Sequence, residues 1–259
     1  MFDGVSAGVL ALLVVVAFVG GIGITTIGPG GIFVTVALYV LTPLSSAAVA
    51  GTAHATFIAT GVIGAAAYRR SGELLEGDGR ALAAILSVTG ILGALAGSRL
   101  NALVSRRLFG LLLGATAAVT GLTLAYREWR GLRPAVAVDA TTRRGQATVG
   151  AVGTAIGVAA GLVGVGGPVL TVPALVVLGV PILVGLAAAQ VQSVFISGFA
   201  TAGYLSHDAV SFPFVLLVGT PQLAGVVAGW AIARRVDPGR LKSVLGIVLV
   251  GVGAYLTVA

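Results

Sequence analysis

The sequence predicts an all-α, polytopic membrane protein built from two related halves. Three observations carry that prediction. Hydrophobic residues make up 58% of the 259 and charged residues only 9%, whereas a soluble domain carries about 25% charge. Two stretches, Gly4–Tyr68 and Gly145–Ser206, contain no Asp, Glu, Lys or Arg. Both stretches also place glycine, threonine and proline in the same order. So little charge cannot cover a water-facing exterior, but an exterior facing hydrocarbon needs none.

Each charge-free stretch is followed by two shorter apolar runs: Ala81–Ser98 and Leu108–Tyr126 in the first half, Ala209–Ala233 and Ser243–Ala259 in the second. Runs of roughly 17–25 residues cross ~30 Å of hydrocarbon as helices, and a helix satisfies its own backbone in lipid. A single helix over Gly4–Tyr68 would be about 97 Å long at ~1.5 Å per residue, enough for three segments. Turn residues mark the cuts at Gly28-Pro29-Gly30-Gly31 and Thr42-Pro43, and again at Gly164-Val165-Gly166-Gly167-Pro168 and Gly179-Val180-Pro181. Each half therefore reads as a long helix, a glycine break, a short segment and three more helices. The first repeat covers 1–126, a polar linker 127–144 and the second repeat 145–259. Residues 5–19 read as a retained membrane helix rather than a cleaved leader. Met1-Phe2-Asp3 offers no basic side chain, and the apolar run continues past the usual length of a leader's core.

The halves match residue by residue. At a shift of 136, Gly21, Gly28, Gly30, Gly31, Thr35 and Val36 align with Gly157, Gly164, Gly166, Gly167, Thr171 and Val172. With two extra residues in the second half, Pro43, Ala50 and Phe57 align with Pro181, Ala188 and Phe195. This is an internal repeat. Loop charge then orients it. If each glycine-broken pair goes in and returns, each half crosses an odd number of times and the halves are inverted. Loops 69–80, 127–144 and 234–242 then share one side, with twelve of the fifteen basic residues. If each broken pair is one kinked crossing, the basic residues divide seven to eight. Lys and Arg concentrate in cytoplasmic loops, so the inverted arrangement is favoured, with the linker in the cytoplasm and both termini outside. Parity leaves open whether the short segments 31–42 and 168–178 cross fully.

Several function classes are excluded. The net charge of +7 does not mark a nucleic-acid binder, because the basic residues sit in short clusters between apolar runs. There is no cysteine, hence no disulfide and no thiolate metal site. His207 and Asp208 lack a third ligand nearby, so no metal is expected. No Ser-His-Asp spacing, His-Glu-x-x-His pattern or phosphate-cradling P-loop occurs, so neither an enzyme nor a cofactor is expected.

The paired breaks are the candidate binding site. A break inside a membrane frees backbone N–H groups, and the next segment begins with unpaired donors and the positive end of its dipole. Such an end binds an anion without a charged side chain, and discontinuous helices at matching positions of two repeats mark transport sites. The substrate-binding candidates are Gly28, Pro29, Gly30 and Gly31 in one break and Gly164, Gly166, Gly167 and Pro168 in the other. Thr35 and Thr171, one turn further on, add hydroxyl donors. The competing explanation is close helix packing through small residues.

His54 is the titratable side chain deepest in an apolar run, near the middle of a Ser45–Ala67 helix. An ionisable group at that depth is costly, and imidazole suits proton coupling; the alternative is an imidazole bonded to a carbonyl. With the two-residue insertion its counterpart is Gln192, while Gln190 matches Thr52. These polar groups are expected to face the breaks. Glycine pairs four apart, such as Gly93/Gly97, Gly153/Gly157 and Gly225/Gly229, read as helix packing. Arg69, Arg70, Arg106, Arg107, Arg234 and Arg235 read as anchors at helix ends.

The breaks Ile27-Gly28-Pro29-Gly30-Gly31-Ile32 and Val163-Gly164-Val165-Gly166-Gly167-Pro168, with Thr171-Val172-Pro173-Ala174-Leu175 after the second, resemble the sulfite exporter TauE/SafE family of membrane transporters. The resemblance spans nearly the whole chain. It implies an exporter or importer of sulfite, an organosulfonate or a related organosulfur or carboxylate anion, with about eight helices in two groups of four. The combined expectation is a secondary transporter in the cell membrane, alternating access around the two breaks. Its partners would be a small anionic substrate and the lipid bilayer, with room for a coupling proton or cation and for a homo-oligomer. A passive anion channel and a non-transporting membrane assembly protein are the rival readings.

Overall fold

The computed structural model describes residue 2 and residues 4–75, 77–130, 138–233 and 238–258. Part of the linker and the anchors Arg234 and Arg235 lie outside the described residues. The described chain is helical, with no strand among those residues. The first half contains α1 (Ala7–Thr26), a 3-10 turn (Pro29–Gly31), α2 (Ile32–Leu41), α3 (Ser46–Ser71), α4 (Gly79–Asn101) and α5 (Arg106–Arg130). The second contains α6 (Arg143–Val163), α7 (Gly167–Val177), α8 (Ile182–Leu205), α9 (Phe212–Ala233) and α10 (Pro238–Val258). Among the described residues six helices, α1, α3, α4, α6, α8 and α9, are long and apolar enough to cross a membrane. The protein is a polytopic membrane protein of eight long helices and two short ones among its described residues. The eight implied by the family resemblance are the long ones, and the short segments of the sequence reading are α2 and α7.

Local chemistry sets the boundaries. Ser6, Ser45 and Thr142 cap α1, α3 and α6, accepting from the amides of Val9, Ala48 and Gly145 at 3.4, 3.2 and 3.1 Å, as hydroxyl N-caps do. The breaks need glycine at two points. Gly28 takes φ 109° and Gly164 takes φ 70°, backbone conformations that a Cβ opposes. Prolines complete them: Pro29 opens the 3-10 turn and Pro168 sits in the first turn of α7, where a missing N–H costs nothing. Pro173, inside α7, has no N–H for the Val169 carbonyl. The Thr120 hydroxyl of α5 donates to that oxygen at 3.4 Å instead.

Helix directions follow from which residues meet. Along α1 and α9, Phe18 lies against Gly225 and Ile22 against Gly229, so the two run parallel. Along α3 and α9, Thr52 meets Ser211 and Thr56 meets Gly219, again parallel. Therefore α1 and α3 point the same way, and the chain must reverse through the break and α2. In the second half Gly153, Gly157 and Gly161 of α6 meet Leu86, Gly90 and Ala94 of α4, while Gly90 and Ser98 of α4 meet Ile196 and Gly203 of α8. So α6, α4 and α8 share one direction, and the chain reverses through α7. At the centre, Gly51, Gly61 and Gly64 of α3 meet Tyr204, Val194 and Gln190 of α8, an antiparallel pair. Gly114 and Gly121 of α5 meet Leu256 and Gly246 of α10, also antiparallel.

The glycine pairs do pack helices. A methyl on Gly157 would stand 2.4 Å from the Gly90 carbonyl oxygen, and one on Gly93 would stand 2.3 Å from that of Thr154. Backbone lies on both sides, so neither clash can relax by turning a side chain. By contrast, a methyl on Gly198 would meet nothing within 4 Å. Gly157→Leu is expected to exceed the ~1–3 kcal/mol usual for overpacking and to abolish a cooperative melt in detergent. Gly198→Ala should melt within a degree or two of the parent, and tryptophan fluorescence on heating distinguishes the two.

Candidate functional site

A helix that ends inside a membrane leaves its last carbonyls without amide partners, and no water is at hand to replace them. Here α1 and α6 both end at a break, and polar side chains from neighbouring helices meet their terminal oxygens. At the end of α6, the Tyr204 hydroxyl donates to Gly161 at 2.7 Å, and His54 Nε2 lies 3.0 Å from the Ala160 carbonyl, which also accepts from the Gly164 and Val165 amides at 2.9 and 3.3 Å. Asn101 donates to Leu162 at 2.7 Å, and the Thr35 hydroxyl donates to the Gly164 carbonyl. At the end of α1, Gln190 donates to the Ile24 carbonyl at 3.1 Å and the Tyr68 hydroxyl to that of Thr25 at 2.6 Å. A carbonyl can only accept, so Nε2 of His54 carries a proton, and Nδ1 faces the Ser197 hydroxyl at 3.3 Å.

These bonds form two matching sets at a constant shift of 136: His54 to Ala160 beside Gln190 to Ile24, and Tyr204 to Gly161 beside Tyr68 to Thr25. The partner of His54 in this scheme is Gln190 rather than the Gln192 expected from the sequence. The reason is that α8 starts 136 residues after α3, so the loop before it absorbs no net insertion. Phe195 accordingly does not take the place of Phe57. It is 43% exposed, whereas Phe57 is buried.

Gly28 and Gly31 from one break, Gly166 and Pro168 from the other, line a shared cavity of about 10 Å³ closed by Phe57, Thr60 and Ser193. The Phe57 ring stands between the two breaks: a Cβ added at Gly31 would lie 3.0 Å from it, and one at Gly166 3.5 Å. The N-terminal turn of α7 borders this space through Gly166 and Pro168, and its end brings partial positive charge but no cationic side chain. Pro168 has no N–H, and the Gly28 and Val169 amides already donate to the Gly23 and Gly166 carbonyls at 3.0 and 3.1 Å.

The remaining expected site residues lie elsewhere. Gly30 packs on α1, where a methyl would stand 2.2 Å from the Gly20 oxygen. Gly164 packs against the Ala50 backbone and Gly167 against the Ala189 carbonyl and Ser193 backbone. Pro29 is buried within the 3-10 turn. Thr171 donates to the Gln192 side-chain oxygen, and Gln192 donates to the Leu86 carbonyl at 3.3 Å. Thr52 accepts from the Ser211 amide at 2.9 Å. Sequence reasoning missed Phe57, Thr60 and Ser193. Their only signal is spacing of one to two turns from His54 and Gln190. It also took Arg106 for a lipid anchor, yet its guanidinium donates to the carbonyls of Leu44 and Tyr39 and lies 4.7 Å over the Tyr39 ring, holding the far end of α2.

A match to the sulfite exporter TauE/SafE family covers residues 12–256. The chain belongs to this family. It is also similar to proteins named as probable membrane transporters. One from Sinorhizobium sp is 32% identical over 90 residues, covering 35% of this chain and 34% of that protein. Two from strains of Xylella fastidiosa are 26% and 27% identical over 177 residues, covering 67% of both chains. The chain thus spans about a third of the first relative's length and about two thirds of the others'. No solved structure matches. Family membership and the six long apolar helices make this TauE/SafE chain a multi-pass membrane protein, similar to proteins named as probable membrane transporters.

The capping bonds can be tested directly. Tyr68→Phe and Tyr204→Phe each leave a buried carbonyl without its hydroxyl and are expected to cost about 1–3 kcal/mol. His54→Gln should be milder than His54→Leu, since Gln190 already fills the matching place in the other half. Thermal melts of the purified variants check the order.

Proposed function

We propose that this protein is a secondary transporter, most simply an exporter, of a small anion such as sulfite, an organosulfonate or a related organosulfur or carboxylate anion. The observation that carries the reading is the shared cavity, in which residues of both breaks meet. An anion there would be held by backbone amides and by the dipole end of α7. At about 10 Å³ the cavity is near the limit for one water. Admitting an anion requires α2, α7 or the Phe57 ring to move.

The same proposal includes inverted halves. Two helices related by a two-fold axis in the membrane plane must run in opposite directions, and the corresponding pairs α3/α8 and α5/α10 do so. Rocking one half against the other would expose the cavity to each side in turn. The positive-inside rule places the linker end in the cytoplasm of a cell whose plasma membrane holds the protein. A proton or cation gradient would supply the drive.

Proteoliposomes loaded with sulfite, a sulfonate, thiosulfate or a carboxylate test this by counterflow. Saturable exchange of at least one anion is expected. Gly166→Val has a compatible backbone, with φ −65°, and fills the cavity. It should lower exchange more than tenfold without shifting the melt, whereas Gly198→Ala should leave exchange unchanged. Normal exchange in Gly166→Val would remove the backbone site, and gradient-independent conductance would make the protein a channel. His54→Gln keeps a donor but no titrating ring. Unchanged pH dependence in that variant would assign proton coupling to another group.

A further inference from the structure

On the side of α7 away from the central cavity lies a second space. An apolar groove of about 460 Å³ runs between α5, α6 and α7, walled by side chains such as Val119, Ile156, Leu170 and Val177. It is open, and the helices around it stand in a bilayer. Its α6 wall is a continuous stripe: Val152, Ala155, Ile156 and Ala159 line the groove, while Thr148, Gly145 and Arg144 line an adjoining space of about 480 Å³ at the linker end. Leu178 borders both, so the apolar groove adjoins a polar mouth at the linker end, and the two together are called the crevice. From Thr148 to Ala159 the stripe rises roughly 16 Å at ~1.5 Å per residue. That is about half of a ~30 Å hydrocarbon core, the depth of one leaflet.

Charge at the mouth selects the occupant. Arg144 is exposed, and no ion pair or hydrogen bond engages its guanidinium among the described residues. The amides at the start of α6 add partial positive charge, less the Gly145 amide that Thr142 already holds. Asp139 also borders the mouth and is exposed. It accepts from the Thr141 amide at 2.8 Å and hydroxyl at 2.6 Å, bonds that lower its pKa and keep it ionised, so the positive charge available to a ligand is that of Arg144 and the start of α6. We infer that the crevice between α5, α6 and α7 binds an anionic phospholipid, its acyl chain in the apolar groove and its phosphate on Arg144. Basic pockets between membrane helices on the cytoplasmic side are known to hold such headgroups. The bound chain would lie against Leu170 and Pro173, behind the helix whose Val169 borders the central cavity.

The test uses the full chain, purified from vesicles of equal parts phosphatidylglycerol and phosphatidylcholine, with retained lipid counted by native mass spectrometry. One phosphatidylglycerol per chain is expected, at several-fold preference. Arg144→Gln should reduce that retention about five-fold, the effect of one basic residue near a lipid surface. Ala155→Trp, at an exposed position, should fill the groove and expel lipid of either type. Arg107→Gln, at the first turn of α5 and outside the crevice, should leave retention unchanged. Equal retention of both lipids overturns the inference, as does parental retention in either Arg144→Gln or Ala155→Trp. So does a second copy of the chain covering this face without lipid. Because the readout is lipid and not flux, failure of the transport proposal leaves this result separate.

Discussion

The structure depends on one constraint: two helices end at glycine breaks in the buried interior, and their last carbonyl oxygens must still be satisfied. Each unmet oxygen in a dry interior costs about as much as a lost hydrogen bond with its desolvation, on the order of 1–3 kcal/mol. Several are met here by side chains from other helices. Each of the central helices α3 and α8 caps the broken helix of its own half through a tyrosine and that of the other half through His54 or Gln190. The halves are thus cross-linked through the atoms that the breaks release. Glycine makes the remaining contacts possible, because α4 on α6 and α9 on α1 approach with backbone against backbone.

This explains the unequal roles of the residues around the breaks. A break has two faces. The face with spent carbonyls is closed by polar side chains and is structural; the other borders the cavity. His54 belongs to the first, and Gly28, Gly31, Gly166 and Pro168 to the second. Membership of the TauE/SafE family is consistent with a site built from backbone, since no lysine or arginine lines the space where the breaks meet.

Much of the fold was legible because hydropathy and turn residues speak directly to a bilayer. The ten-helix order follows from apolar run length and from Gly28-Pro29 and Gly166-Gly167-Pro168. The expected in-and-out reversal rests on where arginine clusters; the parallel run of α1 and α3 is what the contacts give. The site was half legible. Spacing could say that two breaks exist, but not which side of each glycine faces its partner. That choice depends on helix rotation, so Gly30 turned to α1 while Gly31 turned to Phe57. The register of α8 was misread because Pro43 and Pro181 suggested an insertion, whereas the capping bonds require none. Phe57 was read only as a mark of the repeat, and Ser193 was passed over, because an aromatic ring or a hydroxyl in an apolar run does not by itself point to a site.

The attachment of the two short helices is not alike. Thr35 pins α2 to the end of α6, and the Arg106 guanidinium clasps the opposite end of α2 from α5. At its far end α7 is tied through the Leu178 carbonyl to the Val138 amide at 2.9 Å, and Pro173 removes a rung from its middle. One short helix is therefore held at its far end by a guanidinium and the other by a backbone amide, with Thr171 bonded to Gln192 of α8 between the ends of the second.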